Sequence, residues 1–245
     1  MKDNFSRQAD HYAKYRPRYP EELFDFILSH IPEKNTAWDC ATGNGQTALE
    51  LSRYFSKVFA TDISQNQLSK AESAANIIYS LQHAEATNFP ENSFDLITVS
   101  QALHWLHFEK FYAEVRRVAL PGSWLAAWMY GLLSISPPID QLINDHHYQT
   151  LEKYWDYERK YVDANYSTIP FPFEEIACPR FSIHLNWTLD DLEGYLDTWS
   201  ALQKFIIERE FNPVKELIKK IQGHWQEERM KIEFPLYLRM GKIIK

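Results

Sequence analysis

From Thr36 to Tyr130 the chain repeatedly changes its period, and this alternation narrows the possible folds more than any other feature. Short apolar runs at 36–40, 57–61, 77–81, 94–100 and 124–130 read as strands. Segments of helical spacing lie between most of them: one through Leu49, Leu51 and Tyr54, one over 64–75 and one over 108–118. The run from Phe94 to Ser100 is apolar almost throughout, as expected of a strand covered on both faces. Strands separated by helix-length connections form βαβ units, so the pattern predicts an α/β fold with a mostly parallel sheet. Upstream, Pro20-Glu21-Glu22 followed by apolar residues at 23, 24, 26, 27 and 31 predicts an amphipathic helix.

Beyond Tyr130 the regularity breaks. Residues 139–161 read as helical and rich in aromatics, and Ile169-Pro170-Phe171-Pro172-Phe173 cannot continue a helix. A strand over 180–185, helices over 189–205 and 213–225, and a last strand over 232–243 complete the reading. Three parts are expected: an N-terminal lid and first helix (1–35), a nucleoside-binding core (36–130), and a cap with the closing strands of the sheet (131–245). With 245 residues the chain can bury such a core without staples.

Composition excludes several classes. Acidic residues outnumber basic ones 33 to 26, a net charge of −7 that is the wrong sign for a phosphate backbone, so no nucleic-acid partner is expected. Two cysteines suit a reducing compartment, and no apolar stretch is long enough to span a bilayer, so a cytoplasmic location and no membrane partner are expected. His104-x-x-His107 with Glu109 lacks a well-placed third ligand, and His146 and His147 point apart on a helix, so no metal is expected. A monomer or homodimer is anticipated.

The chain has only seven glycines, and two of them, Gly43 and Gly45, lie where the first strand meets its helix. A loop at that position needs backbone angles open to φ > 0 and a bare surface for a ligand. Asp62 closes the second strand, where an acid can accept hydrogen bonds from both hydroxyls of a ribose. Together they predict an adenosine-containing ligand at the carboxyl ends of the strands. Gly43-x-Gly45-x-x-Ala48 also fits a dinucleotide fingerprint, so an NAD(P)-dependent oxidoreductase is a rival reading.

The surrounding residues resemble the class I methyltransferases of the type 11 group, and within it the branch of trans-aconitate-like small-molecule enzymes. The carriers are Asp39-Cys40-Ala41-Thr42-Gly43-Asn44-Gly45, Phe59-Ala60-Thr61-Asp62, Ala84-Glu85 with Ser93-Phe94-Asp95, Gln101-Ala102-Leu103-His104-Trp105, and Tyr12-x-x-x-Arg16-Pro17-x-Tyr19-Pro20 upstream. Ala41 stands where the family usually has its first loop glycine. The resemblance implies a Rossmann-like fold with a seven-stranded sheet, helices on both faces and a C-terminal helical, aromatic cap. It implies S-adenosylmethionine as cofactor and S-adenosylhomocysteine as product. The cofactor contacts it implies are Tyr12, Arg16, Ala41, Thr42, Gly43, Gly45, Asp62, Ile63, Ala84, Glu85 and Gln101.

On the acceptor side His104 is the expected catalytic residue, either as a base or as a positioning group. Trp105, Tyr130 and Arg159 are expected to bind a small molecule with a carboxylate, hydroxyl or amine. Methyl transfer from a sulfonium is an in-line displacement, so alignment and exclusion of water are the protein's main tasks. A non-catalytic cofactor-binding regulator is the remaining alternative.

Overall fold

The computed structural model describes residues 15–245. Helix α1 (Glu21–Ser29) starts where expected, with two glutamates in its first turn, and buries Leu23, Phe24, Ile27 and Leu28. The alternation then yields β1 (Thr36–Cys40), α2 (Gln46–Leu51), β2 (Lys57–Asp62), α3 (Gln65–Leu68), β3 (Ile77–Leu81), β4 (Phe94–Ser100), α4 (Phe108–Val118) and β5 (Ala119–Tyr130). A 3-10 turn (Leu103–Trp105) leads from β4 towards α4.

The cap contributes α5 (Pro137–Asp145), a π-helical turn (His146–Thr150), α6 (Arg159–Asp163), β6 (Glu174–Glu175) and β7 (Phe181–Trp187). It continues through α7 (Leu189–Asp197), α8 (Ser200–Arg209), α9 (Val214–Gln222) and β8 (Met230–Lys242). The sheet runs β3-β2-β1-β4-β5-β8-β6, with β7 also paired to β8. Strands β1 to β5 pair in parallel, and β8 returns antiparallel to β5. The α/β class I fold expected from the sequence is therefore the one observed. Its sheet has eight strands rather than seven because Glu174 and Glu175 add a short pairing with Lys242 and Gly241.

Two hydrophobic layers sandwich the sheet, and β5 shows why. Ala126, Trp128 and Tyr130 enter the layer shared with α1 and the cap helices, while Leu125, Ala127 and Met129 enter the layer beneath α4. This period-two alternation is what a strand covered on both sides requires. Chain order reverses at β1, whose neighbours are β2 and β4, so connections leave towards opposite sides there. A crevice opens at the carboxyl ends of these strands.

Three helices also differ from expectation. The helix predicted over 64–75 covers only Gln65–Leu68: Ser64 caps it, but the run that follows has no apolar stripe, and Tyr79 donates to the carbonyl of Glu72 at 2.7 Å. The helix predicted over 139–161 is broken because Trp155 Nε1 donates to the carbonyl of His147, taking it from the helical ladder. The helix predicted over 189–205 is split where the Thr198 hydroxyl donates to the carbonyl of Tyr195 at 2.6 Å and Trp199 turns extended. Among the described residues no helix is long and apolar enough to cross a membrane.

Candidate active site

The loop after β1 is organised from below by Asp39. Its buried carboxylate accepts from the hydroxyls of Thr42 (2.5 Å) and Thr98 (2.8 Å), with the Ala48 backbone amide also directed at it. Burial raises its pKa to about 7, against the opposing pull of these hydrogen bonds. Above it, Ala41, Gly43 and Gly45 all take left-handed backbone angles (φ +54, +58 and +83). At Gly43 an added Cβ would project into open space, whereas at Gly45 it would run into the Tyr79 hydroxyl.

Asp62, at the end of β2, ties this loop to the next. One carboxylate oxygen accepts from the Gly43 amide (2.9 Å) and the other from the Ser64 amide (2.8 Å). An ionised carboxylate is an acceptor-only group with about four lone-pair sites, the chemistry that a vicinal diol calls for. The cleft above encloses about 820 Å³ with its open mouth included. Its floor is Ala41, Thr42, Gly43, Asp62 and Ile63, and its far wall is Arg16, Gln101, Trp105 and Tyr130.

A second cavity of about 710 Å³ lies beyond that wall, under the cap, and the same four far-wall residues face it as well. Arg16 donates to the Tyr130 hydroxyl at 2.7 Å and lies 5.4 Å over the Tyr195 ring. Arg159 lies 4.6 Å over Trp155 while its Nε donates to Asp163 at 2.9 Å. Asp156, also in the lining, is held by Lys204 at 2.6 Å. His104 is buried with Nδ1 2.7 Å from the Tyr166 hydroxyl. Burial first, and then the charge of Arg159, lower its pKa to about 3. Gln101 adopts φ +55 at the seam, and its side-chain nitrogen is buried with no hydrogen-bond partner among the described residues.

A methyltransferase-domain family model matches residues 38–127, the stretch that builds the floor of the cleft. A Dictyostelium discoideum protein named as a methyltransferase is 33% identical over 98% of this chain and 95% of its own length. The chain belongs to the class I S-adenosylmethionine-dependent methyltransferases of the type 11 group. A solved structure from Anaeromyxobacter dehalogenans, named as a type II methyltransferase, superposes with a TM-score of 0.87 at 34% identity, over 94% of this chain and 99% of that one. A phosphoethanolamine N-methyltransferase 2 of Haemonchus contortus, in complex with S-adenosyl-L-methionine, shares the fold at a TM-score of 0.51 and 15% identity, covering 98% of this chain and 57% of its own.

This family membership displaces the nicotinamide-oxidoreductase reading, and the structure places most of the expected site residues around the two cavities. Arg16, Ala41, Thr42, Gly43, Asp62, Ile63 and Gln101 line the cleft, whereas Gly45 is not in the lining and lies against Tyr79 and Ala71. Trp105 and Tyr130 face both cavities; His104 and Arg159 line the second. Ala84 and Glu85 are not in the cleft lining: Glu85 accepts from the His107 amide at 3.1 Å and pins the start of α4. Tyr12 lies outside the described residues.

Trp128 of β5 is wholly buried and packs edge-on to Tyr19 and Phe24. Sequence reasoning missed Tyr19, Asn44 and Gln67 in the cleft, and Leu132, Asp156, Tyr195 and Ser200 in the second cavity. Asn44 lay within the recognised loop and Tyr19 within the upstream motif, so both could have been found; the others carry no local signal. His146 and His147 are buried against Trp199 and Trp155 rather than in either lining. Among the described residues no three ligating groups gather as a metal site.

Proposed function

We propose that this methyltransferase transfers a methyl group to a small carboxylate held in the second cavity, with the cofactor lying in the cleft. The observation that carries the reading is the shared wall. Arg16, Gln101, Trp105 and Tyr130 face both spaces, so a donor in one and an acceptor in the other meet there. The cleft suits the cofactor because the left-handed loop leaves open space at Gly43 and the acceptor-only Asp62 carboxylate, bonded to the Gly43 amide, stands beside it. When bound, the cofactor supplies an electrophilic methyl on a sulfonium.

The chain's own residues do the rest. Asp62 accepts the ribose hydroxyls, the 41–43 loop presents its backbone to the methionyl part, and the aromatic walls exclude water. Two guanidinium groups, Arg16 and Arg159, face the second cavity together with Trp105, a donor set suited to an anionic acceptor. A carboxylate is already ionised at neutral pH and loses no proton on methylation, so the site needs alignment and no base.

A thermal-shift panel with S-adenosylhomocysteine, S-adenosylmethionine and NAD(P) tests the cleft. A ligand present at about 100 times its Kd adds roughly 2.7 kcal/mol, and only the two sulfur compounds are expected to do so. Turnover against small carboxylic acids, phenols and amines tests the acceptor; methylation of phenols or amines and not acids would refute the carboxylate assignment. Tight cofactor binding with silence across the whole panel would instead favour a regulator.

A further inference from the structure

Tyr166 is a tightly constrained residue near the second cavity, and none of the functions assigned above uses it. It is wholly buried, and its backbone sits at φ +60 directly after Asn165 at φ +53, a costly conformation for a bulky residue. The surrounding structure holds it there. Arg239 of β8 donates to the carbonyls of Tyr166 (3.0 Å) and Ile169 (2.5 Å), and the same guanidinium makes two 2.7 Å bonds to Glu175. The product of this arrangement is a hydroxyl placed 2.7 Å from Nδ1 of His104.

The direction of that hydrogen bond follows from what else faces the oxygen. The backbone amides of His104 and Leu103 are directed at the Tyr166 hydroxyl, and amides only donate. Burial raises the tyrosine pKa, so the hydroxyl keeps its proton. Its oxygen accepts from backbone, and its hydrogen is left for the nearby imidazole nitrogen. A ring whose Nδ1 accepts must, when neutral, carry its own proton on Nε2. The groups facing His104 oppose a second proton: Arg159 of α6 is cationic, the Trp105 ring lies 4.7 Å away, and Tyr166 is neutral. Of the other charged groups in the cavity lining, Arg16 is bonded to Tyr130 and the Asp156 carboxylate to Lys204.

We propose that Tyr166 locks His104 as the neutral Nε2–H tautomer, so that His104 presents a hydrogen-bond donor to the acceptor and does not act as a base. The donor role rests on the methyl-transfer reading above; the tautomer does not. Tyr166 is then a positioning residue acting through His104. The acceptor must arrive with its nucleophilic oxygen already ionised, which deepens the preference for a carboxylate over a hydroxyl.

The test is nitrogen NMR of the full chain with 15N-labelled histidine, the His104 resonances being assigned by their loss in His104→Gln. The expected result is a protonated Nε2 and a bare Nδ1, unchanged from pH 8 to pH 5. Tyr166→Phe should mix the tautomers and allow the ring to titrate, and its retained stabilisation by S-adenosylhomocysteine verifies that it has folded. A proton on Nδ1 in the wild-type protein overturns the proposal.

Turnover of trans-aconitate as the probe acid separates donor from base. The glutamine amide nitrogen reproduces the Nε2–H donor, so His104→Gln should keep kcat/KM within about fivefold. His104→Leu should raise KM by roughly 10- to 100-fold without moving cofactor affinity, the expected loss for a hydrogen bond to a charged group. Equal inactivity of both variants, with a wild-type kcat that falls below about pH 6.5 as a free imidazole would titrate, assigns His104 as the base and sinks the donor role. No turnover by the wild-type protein despite the Nε2–H signature defeats the carboxylate reading and leaves the tautomer lock standing.

Discussion

The cleft and the cavity under the cap share a wall but are built in opposite ways. The cleft is lined chiefly by loops that follow the neighbouring strands β2, β1 and β4, and its determinants are backbone ones: three left-handed residues within five positions and a carboxylate bonded to two amides. The second cavity is assembled from side chains as distant as Arg16, His104, Arg159 and Trp199, brought together by a broken helix and a split one. Backbone geometry of the first kind tolerates few residue types, whereas a wall of packed aromatics tolerates many. Substitution should therefore act on the cleft through cofactor affinity and stability, and on the cavity through acceptor selection.

The sharpest way to break this contrast is Asp62→Ala. It should abolish stabilisation by S-adenosylhomocysteine and also lower the melting temperature of the ligand-free protein, since each lost hydrogen bond to a charged group is worth about 1.5–3 kcal/mol. A retained ligand shift in calorimetry would show that the carboxylate is not part of the cofactor grip. Next comes Gly45→Ala, which combines a left-handed angle with a collision at Tyr79. It should cost roughly 2–4 kcal/mol in urea denaturation, against about 1–2 for Gly43→Ala, which meets open space.

Acid should separate the two regions by sign. In the cap and its cavity, burial lowers His104 to about 3, His146 to about 4 and His147 to about 3. Their unfolded forms bind protons first, so the stability they contribute is complete above about pH 6.5 and is lost as pH falls. Under the cleft, Asp39 is raised to about 7, so its contribution is greatest below the ordinary carboxyl range and is lost as pH rises through 7. The three histidines outweigh the one aspartate, so melting temperature should fall between pH 6.5 and 4. His147→Phe should flatten this slope, and Asp39→Asn should steepen it.

Smaller effects are expected from Arg159→Met and Ala41→Gly. Removing the guanidinium should raise the KM for an acidic acceptor about tenfold or more, with the Kd of S-adenosylhomocysteine by titration calorimetry unchanged. Ala41→Gly relieves a left-handed alanine but loosens the unfolded chain, so a gain of at most about 1 kcal/mol is expected.

The same contrast explains what could be read in advance. Gly43, Gly45 and Asp62 were legible because a tight turn and a strand-end acid have local signatures, and the strands of the core were legible through their apolar runs. The length of the helix after Ser64 and the break at His146 were not legible, because they depend on carbonyls claimed by the side chains of Tyr79 and Trp155, seven and eight residues further along the chain, and the break at Thr198 turns on whether that hydroxyl bonds back to Tyr195. Trp128 and Trp199 are the same residue type and both are buried, yet one fills the core and the other lines a cavity. Only the packing of α1 and the cap helices distinguishes them.

The shared wall has a thermodynamic consequence. A ligand that reorients Arg16, Gln101, Trp105 or Tyr130 from one side alters the surface met by the ligand on the other, so the two occupancies are linked. Linkage is reciprocal: whatever factor the donor adds to acceptor affinity, the acceptor returns to the donor. The spent donor, lacking its methyl, would then favour release of the methylated product by the same route.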